Sequence, residues 1–351
     1  MEYKTRIMRQ RCFLFSAMSW LIVCSSWQPL SGWGREVRRA LPVDGAPSAA
    51  PTAPFDPQEA QEIPQSSGVP AQASVALTPS AVSALAVYPS TAPVTVASSA
   101  IMIDARAGSI IFFKNPDIRR PVASTQKLLT ALLVAERGGL DSRVRVLADD
   151  CAVEPTKLGI KPGEVYTKRE LLAAMLVHSC NDAALCLARN DAGSVDAFAR
   201  LMNAKAFSLG AANSHFINPN GLPRPGQFST ARDMARIAFA AYHNPTLRQF
   251  IRLPGLMFTY NSGRRRFLEP TNKLVKRSTI FNGMKTGYTD ASGRCLISSA
   301  SSGGREIILV QLGGTHHTLW DDAQRLLLWG LDSRSASPVF ATNDPNSHSM
   351  R

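Results

Sequence analysis

Residues 121–139, PVASTQKLLTALLVAERGG, join a serine and a lysine to an apolar run that repeats at helical spacing and ends at two glycines. This pattern predicts a helix with Ser124 in its first turn. Because residues three apart share a helix face, the Lys127 amine would reach the Ser124 hydroxyl. A serine needs such a base, and a lysine removed from water near other cations can lose its proton. Alone this spacing is a weak signal, since a helix-capping serine followed by an exposed lysine would give the same S-x-x-K pattern.

Two further motifs follow along the chain. Residues 179–181 (SCN) end a predicted helix, which begins at the capping box from Thr167 to Glu170. Residues 285–287 (KTG) come just before a predicted strand. Motifs of the forms S-x-x-K, S-x-N and K-T-G in this order are together a strong signal for a serine that forms an acyl-enzyme.

Apolar, β-rich runs lie on both sides of a helical region. SAIMIDA and SIIFFKN (99–115) form a predicted hairpin, and GRCLISSAS and REIILVQLGG (293–314) form two adjacent antiparallel strands. Between them, residues 196–210 and 229–244 have helical patterns, and TLWDDAQRLLLWGL predicts a terminal helix. Strands at both ends with helices between them predict an α+β fold with one antiparallel sheet.

The first residues have the composition of an export signal. Residues 1–11 carry four basic side chains, and the uncharged run CFLFSAMSWLIVCSSW follows. This predicts a signal peptide or N-terminal anchor over residues 1–31. The run is shorter than the roughly 20 residues of a membrane-spanning helix, but no small-x-small cleavage site follows, so membrane attachment through this segment stays open. Val23 before Cys24 argues against a lipid-modified cysteine.

Residues 32–97 are rich in Pro, Ala and Ser and show no sustained period. We expect a disordered linker there, because the few large apolar residues cannot offset the entropy of ordering the chain. The catalytic domain is predicted over residues 98–334 and a polar tail over residues 335–351. We expect no C-terminal anchor, so any anchoring would come from the N-terminal segment.

A formal charge of +13 and an isoelectric point near 9.8 predict attraction to polyanions. No basic stretch is interleaved with stacking aromatic residues as in a nucleic-acid module, so nucleic acid is not an expected partner. An exported protein meets anionic wall polymers and lipid headgroups first, and a merely solvated basic surface is an equal alternative.

The cysteines and histidines show no pattern for a metal site. The four cysteines outside the leader lack C-x-x-C spacing, so zinc is not expected. They allow three complete disulfide pairings, among which the sequence does not choose, and buried free thiols are the favoured interpretation. His316 and His317 project differently and have no evident third ligand. The four cysteines are Cys151, Cys180, Cys186 and Cys295.

Five ordered blocks within residues 98–332 resemble the low-molecular-mass penicillin-binding proteins, the serine D-alanyl-D-alanine carboxypeptidases and their endopeptidase relatives. The resemblance implies a β-lactamase/transpeptidase-like fold with the active site between the sheet and a helical cluster. With the leader, it implies a periplasmic or cell-envelope enzyme that acts on peptidoglycan stem peptides, takes β-lactam antibiotics as covalent inhibitors and needs no cofactor. The blocks are PVASTQKLLTALL, MLVHSCNDAALCLA, MNAKAFSLGAANSHFINPNGL, STARDMARIA and GMKTGYTDASGRCL.

The resemblance also implies roles for the first two motifs. Ser124 would be the acylated nucleophile and Lys127 its general base. Ser179 would relay a proton toward the leaving group, and Asn181 would hydrogen-bond the substrate amide and orient Lys127. Cys180 departs from the small residue or Asp that is common there, and packing is its favoured role.

The third motif would hold the other end of the substrate. Lys285 and Thr286 would bind the terminal carboxylate, and Gly287 would let the strand come close to the peptide. The backbone N–H groups of Ser124 and Tyr288 would form the oxyanion hole.

Three alternatives to a carboxypeptidase share these motifs. A class A β-lactamase needs a glutamate that activates water for deacylation, and no glutamate occurs between Glu170 and Glu269. We therefore expect penicillin to acylate Ser124 and stay. A D,D-endopeptidase and a catalytically silent wall-binding protein remain open. Carboxypeptidase is favoured because Lys285 and Thr286 form a carboxylate clamp and because it is the commoner activity in the resembling family.

Overall fold

A computed structural model describes residues 92–332. The predicted leader (1–31), the linker up to residue 91 and the predicted tail (335–351) lie outside the described residues. The strands are β1 (Ser99–Asp104), β2 (Ile110–Lys114), β3 (Arg143–Arg145), β4 (Val165–Thr167), β5 (Leu256–Thr259), β6 (Arg265–Leu268), β7 (Phe281–Thr289), β8 (Gly293–Ser302) and β9 (Arg305–Gly314). The helices are α1 (Lys127–Arg137), α2 (Ala148–Cys151), α3 (Lys168–His178), α4 (Asn181–Ala192), α5 (Val195–Ser208), α6 (Ala231–His243), α7 (Pro245–Ile251) and α8 (Leu319–Asp332).

Five strands form the predicted antiparallel sheet, in the order β2-β1-β9-β8-β7. Strand β1 pairs with β9 from Ser99 opposite Leu312 to Asp104 opposite Ile307. The first and last strands of the described region therefore meet in the middle of the sheet, as the apolar runs at both ends predicted.

The sheet is covered by helices on both faces. Along β1, Ile101 and Ile103 belong to the large core shared with the helical cluster, whereas Ala100 and Met102 belong to the core beneath α8. This alternation follows from the two-residue period of a strand. Because both faces are buried, the central strands have nearly continuous apolar sequences.

Helix α1 lies at the centre of the helical cluster. Its residues Leu128, Leu129 and Leu132 are buried, and it contacts α3, α4, α5 and α6. A helix that is apolar on nearly every side is stable only when other elements enclose it. The turn that precedes α1 contacts β7, so this enclosure fixes the motif serine against the edge strand of the sheet. None of the helices within residues 92–332 is long and apolar enough to cross a membrane.

The structure differs from the sequence prediction at two motifs and in two small sheets. The KTG motif lies inside β7 rather than before a strand, and the pairing of β7 with β8 is irregular between Phe281 and Gly283. Ser124 lies in a 3₁₀ turn, Ala123–Gln126, that leads into α1. The pairs β3–β4 and β5–β6 went unpredicted, since strands of three or four residues carry too little alternation to be recognised.

The residues just before β1 pack against α8. Thr95 and Ala97 are buried, although the sequence assigned them to the linker. Asp322 Oδ2 accepts hydrogen bonds from the Val96 backbone N–H at 3.0 Å and from the Thr95 hydroxyl at 3.3 Å. Helix α8 therefore holds the segment through which the chain enters the sheet.

We expect Leu326→Ala in α8 to lower the free energy of unfolding by about 2–5 kcal/mol, because it leaves a cavity under the sheet. Leu326 is fully buried, whereas Leu328 in the same helix is 44% exposed. Leu328→Ala is thus a matched control that should lower the free energy of unfolding by less than about 1 kcal/mol. Urea unfolding followed by circular dichroism measures both values. Equal losses in the two variants would show that α8 does not pack as described.

Candidate active site

The Ser124 hydroxyl and the Lys127 amine are in direct contact. Lys127 Nζ lies 2.8 Å from Ser124 Oγ, and the hydroxyl also donates to the Asn220 carbonyl oxygen at 3.2 Å. The 3₁₀ turn followed by an α-helix brings these side chains to one side of the chain. Ala123, just before the serine, has a φ of 49°, which is strained for a residue with a side chain. Residues with such strained backbone conformations cluster at functional sites.

Lys127 is fully buried and has no carboxylate ion-pair partner within residues 92–332. Its amine donates to Asn181 Oδ1 at 2.7 Å and to the Asn220 carbonyl oxygen at 2.5 Å. Burial, followed by the nearby charge of Lys285, lowers the pKa of Lys127 well below that of an ordinary lysine. The neutral amine, which is the form that can accept a proton, is therefore favoured.

Ser179 and Asn181 reach the same site from the turn between α3 and α4. Ser179 ends α3 with φ 67° and ψ 27°, a left-handed conformation that reverses the chain. Asn181 begins α4, and its side-chain amide donates to the Pro155 carbonyl oxygen at 2.6 Å. Its backbone N–H donates to the Thr156 carbonyl oxygen at 2.8 Å. The asparagine is thus held from both sides, which aims its Oδ1 at Lys127.

Lys285 approaches from the sheet. Its side chain is buried, and its amine donates to Ser179 Oγ and to the Thr286 carbonyl oxygen at 2.8 Å and 2.9 Å. Burial lowers the pKa of Lys285 to about 7. An amine with this pKa can become positively charged when an anion binds beside it.

Gly287 lets β7 pass close to Ser124. A Cβ at this position would lie 2.8 Å from the Ser124 backbone nitrogen and 2.9 Å from Ala123 Cβ. Both distances are shorter than real side-chain contacts, so only glycine fits without movement. Thr286 is half-buried on one side of this contact, and Tyr288 is 52% exposed on the other. The structure thus brings all eight predicted site residues to one groove between β7 and the helical cluster.

The sequence analysis assigned no role to the loop of residues 218–221, which completes the site. The Asn220 carbonyl oxygen accepts from both Ser124 and Lys127. Gly221 lies close to the 3₁₀ turn Ala123–Gln126, which we call the nucleophile turn. A Cβ at position 221 would be 2.2 Å from the Ala123 carbonyl oxygen. The Asn-Gly pair is a turn signal, but a backbone oxygen has no signature in the sequence.

Asp182 is a second residue that the sequence analysis missed. Its carboxylate accepts the backbone N–H groups of Leu158 and Gly159 at 2.9 Å and 2.8 Å. These bonds anchor the loop whose Pro155 and Thr156 carbonyls hold Asn181. Asp182 therefore acts on the site through the loop rather than by contact with a substrate.

The cysteines and histidines lie outside this chemistry. Cys180 is buried and burial raises its pKa to about 12, so the thiol packs in the core. His178 contacts the Glu269 carbonyl oxygen and Arg266 instead of the serines. All four cysteines of the described chain are free. Within residues 92–332, no three His, Cys, Asp or Glu side chains are arranged to hold a metal ion.

A family model described as D-alanyl-D-alanine carboxypeptidase matches residues 87–316. The chain belongs to the D-alanyl-D-alanine carboxypeptidase family. Membership makes it a hydrolase of the serine D,D-carboxypeptidase type, as the three motifs predicted. It also confirms the resemblance from which the roles of the motif residues were inferred.

Relatives of this D,D-carboxypeptidase agree with that assignment. DacB2, a D-alanyl-D-alanine carboxypeptidase of Mycobacterium tuberculosis, is 37% identical over 238 residues, which cover 66% of this chain and 80% of that protein. A D-alanyl-D-alanine endopeptidase of Escherichia coli is 32% identical over 257 residues, covering 71% and 81%. The crystal structure of a Mycobacterium tuberculosis D-alanyl-D-alanine carboxypeptidase has a TM-score of 0.68 at 34% identity, covering 71% of this chain and 96% of that chain. The predicted α+β, transpeptidase-like fold is confirmed.

We expect Gly221→Ala to slow labelling of the protein by a fluorescent penicillin by about 100-fold or more, because a shift of about 1 Å in the nucleophile has effects of this size. Gly226→Ala is the matched control. Both glycines have a left-handed φ, but a Cβ at position 226 meets nothing within 4 Å. The control should label at close to the wild-type rate. Equal rates in the two variants would contradict the close packing of Gly221 on the nucleophile turn.

Proposed function

We propose that this chain removes the terminal D-alanine from peptidoglycan stem peptides through an acyl-enzyme on Ser124. The observation that carries the proposal is the buried Lys127 amine, which lies 2.8 Å from the Ser124 hydroxyl and has a lowered pKa. A neutral lysine at this distance can take the hydroxyl proton as the serine attacks.

Acylation takes place in the groove between β7 and the helical cluster. Ser124 Oγ attacks the carbonyl carbon of the penultimate D-alanine while Lys127 takes its proton. The backbone N–H groups of Ser124 and Tyr288 stabilise the developing oxyanion. Asn181 hydrogen-bonds the substrate amide, and its contact with Lys127 keeps the amine aimed at the nucleophile.

The leaving D-alanine lies at the Lys285 end of the groove. Lys285 and Thr286 bind its carboxylate, in keeping with the burial of the Lys285 amine beside the Thr286 carbonyl. Ser179, in hydrogen-bond contact with Lys285, relays the proton that Lys127 took from Ser124 to the departing amine, so Lys127 is neutral again. The amide bond breaks, and the penultimate D-alanine remains as an ester on Ser124.

Water then hydrolyses this ester, with Lys127 accepting the water proton and returning it to Ser124 Oγ. No glutamate lies between Glu170 and Glu269 to activate the water. A class A β-lactamase uses such a glutamate to release penicillin. We therefore propose that β-lactams form long-lived adducts with this chain, which makes it a target of penicillin and not its destroyer.

A D,D-endopeptidase activity is the second candidate, because the similar Escherichia coli endopeptidase aligns over most of this chain. The two activities differ in whether the groove accepts a free terminal carboxylate or a peptide that continues beyond it. Digestion of purified muropeptides separates them. Free D-alanine from monomeric pentapeptides supports the proposal, whereas cleaved dimers without free D-alanine would replace it with the endopeptidase.

We expect Ser124→Ala to abolish both covalent labelling by a fluorescent penicillin and release of D-alanine, because no nucleophile remains for the acyl-enzyme. Ser109→Ala, at an exposed serine beside β2, is the control and should behave as wild type. Gel fluorescence and a D-alanine assay measure the two properties. If wild type takes no label, the chain is instead a catalytically silent wall-binding protein.

We expect release of D-alanine to depend on pH through both lysines. Lys127 must be neutral to act as base, so the rate falls as pH drops below its lowered pKa, which lies well below that of an ordinary lysine. Lys285 must be protonated to bind a carboxylate, so kcat/KM falls as pH rises above about 7. A peptide amide without the terminal carboxylate should lose this second limb. A labelling rate by penicillin that keeps rising up to pH 10 would contradict the lowered pKa of Lys127.

We also propose the organisation of the rest of the chain. The basic and apolar residues 1–31 direct export or anchor the chain, residues 32–97 link them to the catalytic domain over 98–334, and 335–351 form a polar tail. This arrangement puts the enzyme in the periplasm or cell envelope, where its substrate is. Cell fractionation with an antibody to the catalytic domain tests it.

A further inference from the structure

A cavity of about 320 Å³ opens beside the nucleophile turn. Its walls come from the chain before Ser124, the loop of residues 221–227 and the end of β7. Most lining residues are apolar, among them Pro121, Ala123 and Pro223. The volume is at the lower end of the range for ligand sites, which starts at roughly 300 Å³, so it suits one residue of a peptide rather than a glycan strand.

The direction of β7 indicates which part of a substrate reaches this cavity. Lys285 and Thr286 hold the terminal carboxylate in the proposed function, and Gly287 lies against Ser124. A substrate that extends along the strand past the nucleophile then runs toward Thr289 and Ala291, which line the cavity. The cavity therefore lies on the acyl side of the scissile bond. The third residue of a stem peptide, which precedes the penultimate D-alanine, would lie there.

The loop that forms the outer wall is held by its own hydrogen bonds. The Asn218 side-chain amide and the Gln227 side-chain amide both donate to the Leu222 carbonyl oxygen, at 2.8 Å and 2.9 Å. The Gln227 backbone N–H donates to the Arg224 carbonyl oxygen at 3.1 Å. Arg224 therefore sits on a fixed turn, next to the Gly221 segment that contacts the nucleophile.

Arg224 is the charged residue among those that line the cavity in the described structure. Its side chain is exposed, and no carboxylate within residues 92–332 pairs with it. Asp290 lies between Thr289 and Ala291, which line the opposite wall. Its carboxylate accepts a hydrogen bond from the Tyr288 hydroxyl at 2.8 Å, and Arg294 stacks on the Tyr288 ring. A guanidinium beside an apolar cavity favours a carboxylate and disfavours an ammonium.

We propose that this cavity binds the third residue of the stem peptide and that Arg224 selects a side chain ending in a free carboxylate, as in diaminopimelate, over lysine. The proposal rests on the proposed function for the direction in which the substrate lies. It adds a specificity residue that the three catalytic motifs do not contain. Because the guanidinium is exposed, the preference is modest and weakens as salt concentration rises.

The test uses three synthetic pentapeptides that differ only at the third residue: diaminopimelate, its side-chain amide and lysine. Their Kd values are measured by calorimetry on the Ser124→Ala protein, which cannot be acylated. Their kcat/KM values for D-alanine release are measured on the protein with Ser124. Both sets are repeated with Arg224→Gln and Arg224→Lys, and with Arg106→Gln as a control that removes an exposed arginine at the far β1–β2 turn.

We expect about a fivefold tighter Kd for the diaminopimelate peptide than for its amide or the lysine peptide, the size of a good exposed ion pair. Arg224→Gln should remove the preference, whereas Arg224→Lys and Arg106→Gln should keep most of it. Equal Kd values for the three peptides, or a preference that survives Arg224→Gln, would overturn the proposal. D-alanine release without any preference overturns this subsite alone. A preference in Kd without D-alanine release from any peptide supports the subsite and overturns the proposed function.

Discussion

The structure depends on a lysine amine that is buried without a carboxylate ion-pair partner among residues 92–332. Removing an ammonium from water is costly unless the group is paired or becomes neutral. Lys127 is held by three oxygens, from Ser124, Asn181 and Asn220, all within 2.8 Å of its amine. These oxygens fix the position of the amine, while burial lowers its pKa. The same environment therefore favours the neutral amine, which is the form that the proposed base requires.

This environment is assembled from parts that lie far apart in the chain. The nucleophile turn belongs to a helix that the helical cluster encloses, Asn181 is fixed between α4 and a neighbouring loop, and Lys285 comes from the edge strand of the sheet. Two glycines, Gly221 and Gly287, allow the loop and the strand to touch the nucleophile turn. The groove therefore lies where the sheet meets the helical cluster, and its geometry depends on how closely these two parts of the fold pack.

The two buried lysines divide the work because their surroundings differ. Lys127 loses affinity for its proton through burial and through the neighbouring positive charge of Lys285. Burial lowers the pKa of Lys285 to about 7. In the proposed function, an arriving carboxylate stabilises the charge on Lys285, whereas Lys127 remains the base. Beyond this pair, Arg224 adds a cation at the cavity beside residues 121–123. In our proposal, the acyl part of the substrate lies there.

The sequence by itself determined the elements and the reacting groups. The apolar runs at both ends predicted a shared sheet. Three ordered motifs predicted seven of the residues at the groove, and the family resemblance that they carry added Tyr288, because both depend on local spacing and residue type. Short strands such as β3 and β6 were missed, since they carry too little periodic signal, and the KTG motif was predicted to precede a strand although it lies inside β7. Only the tertiary structure decided that the Asn220 carbonyl holds Ser124 and Lys127, that Asp182 braces the loop around Asn181 and that a cavity opens at Arg224. Those features are backbone positions and empty volumes, which arise when distant segments pack and have no residue code of their own.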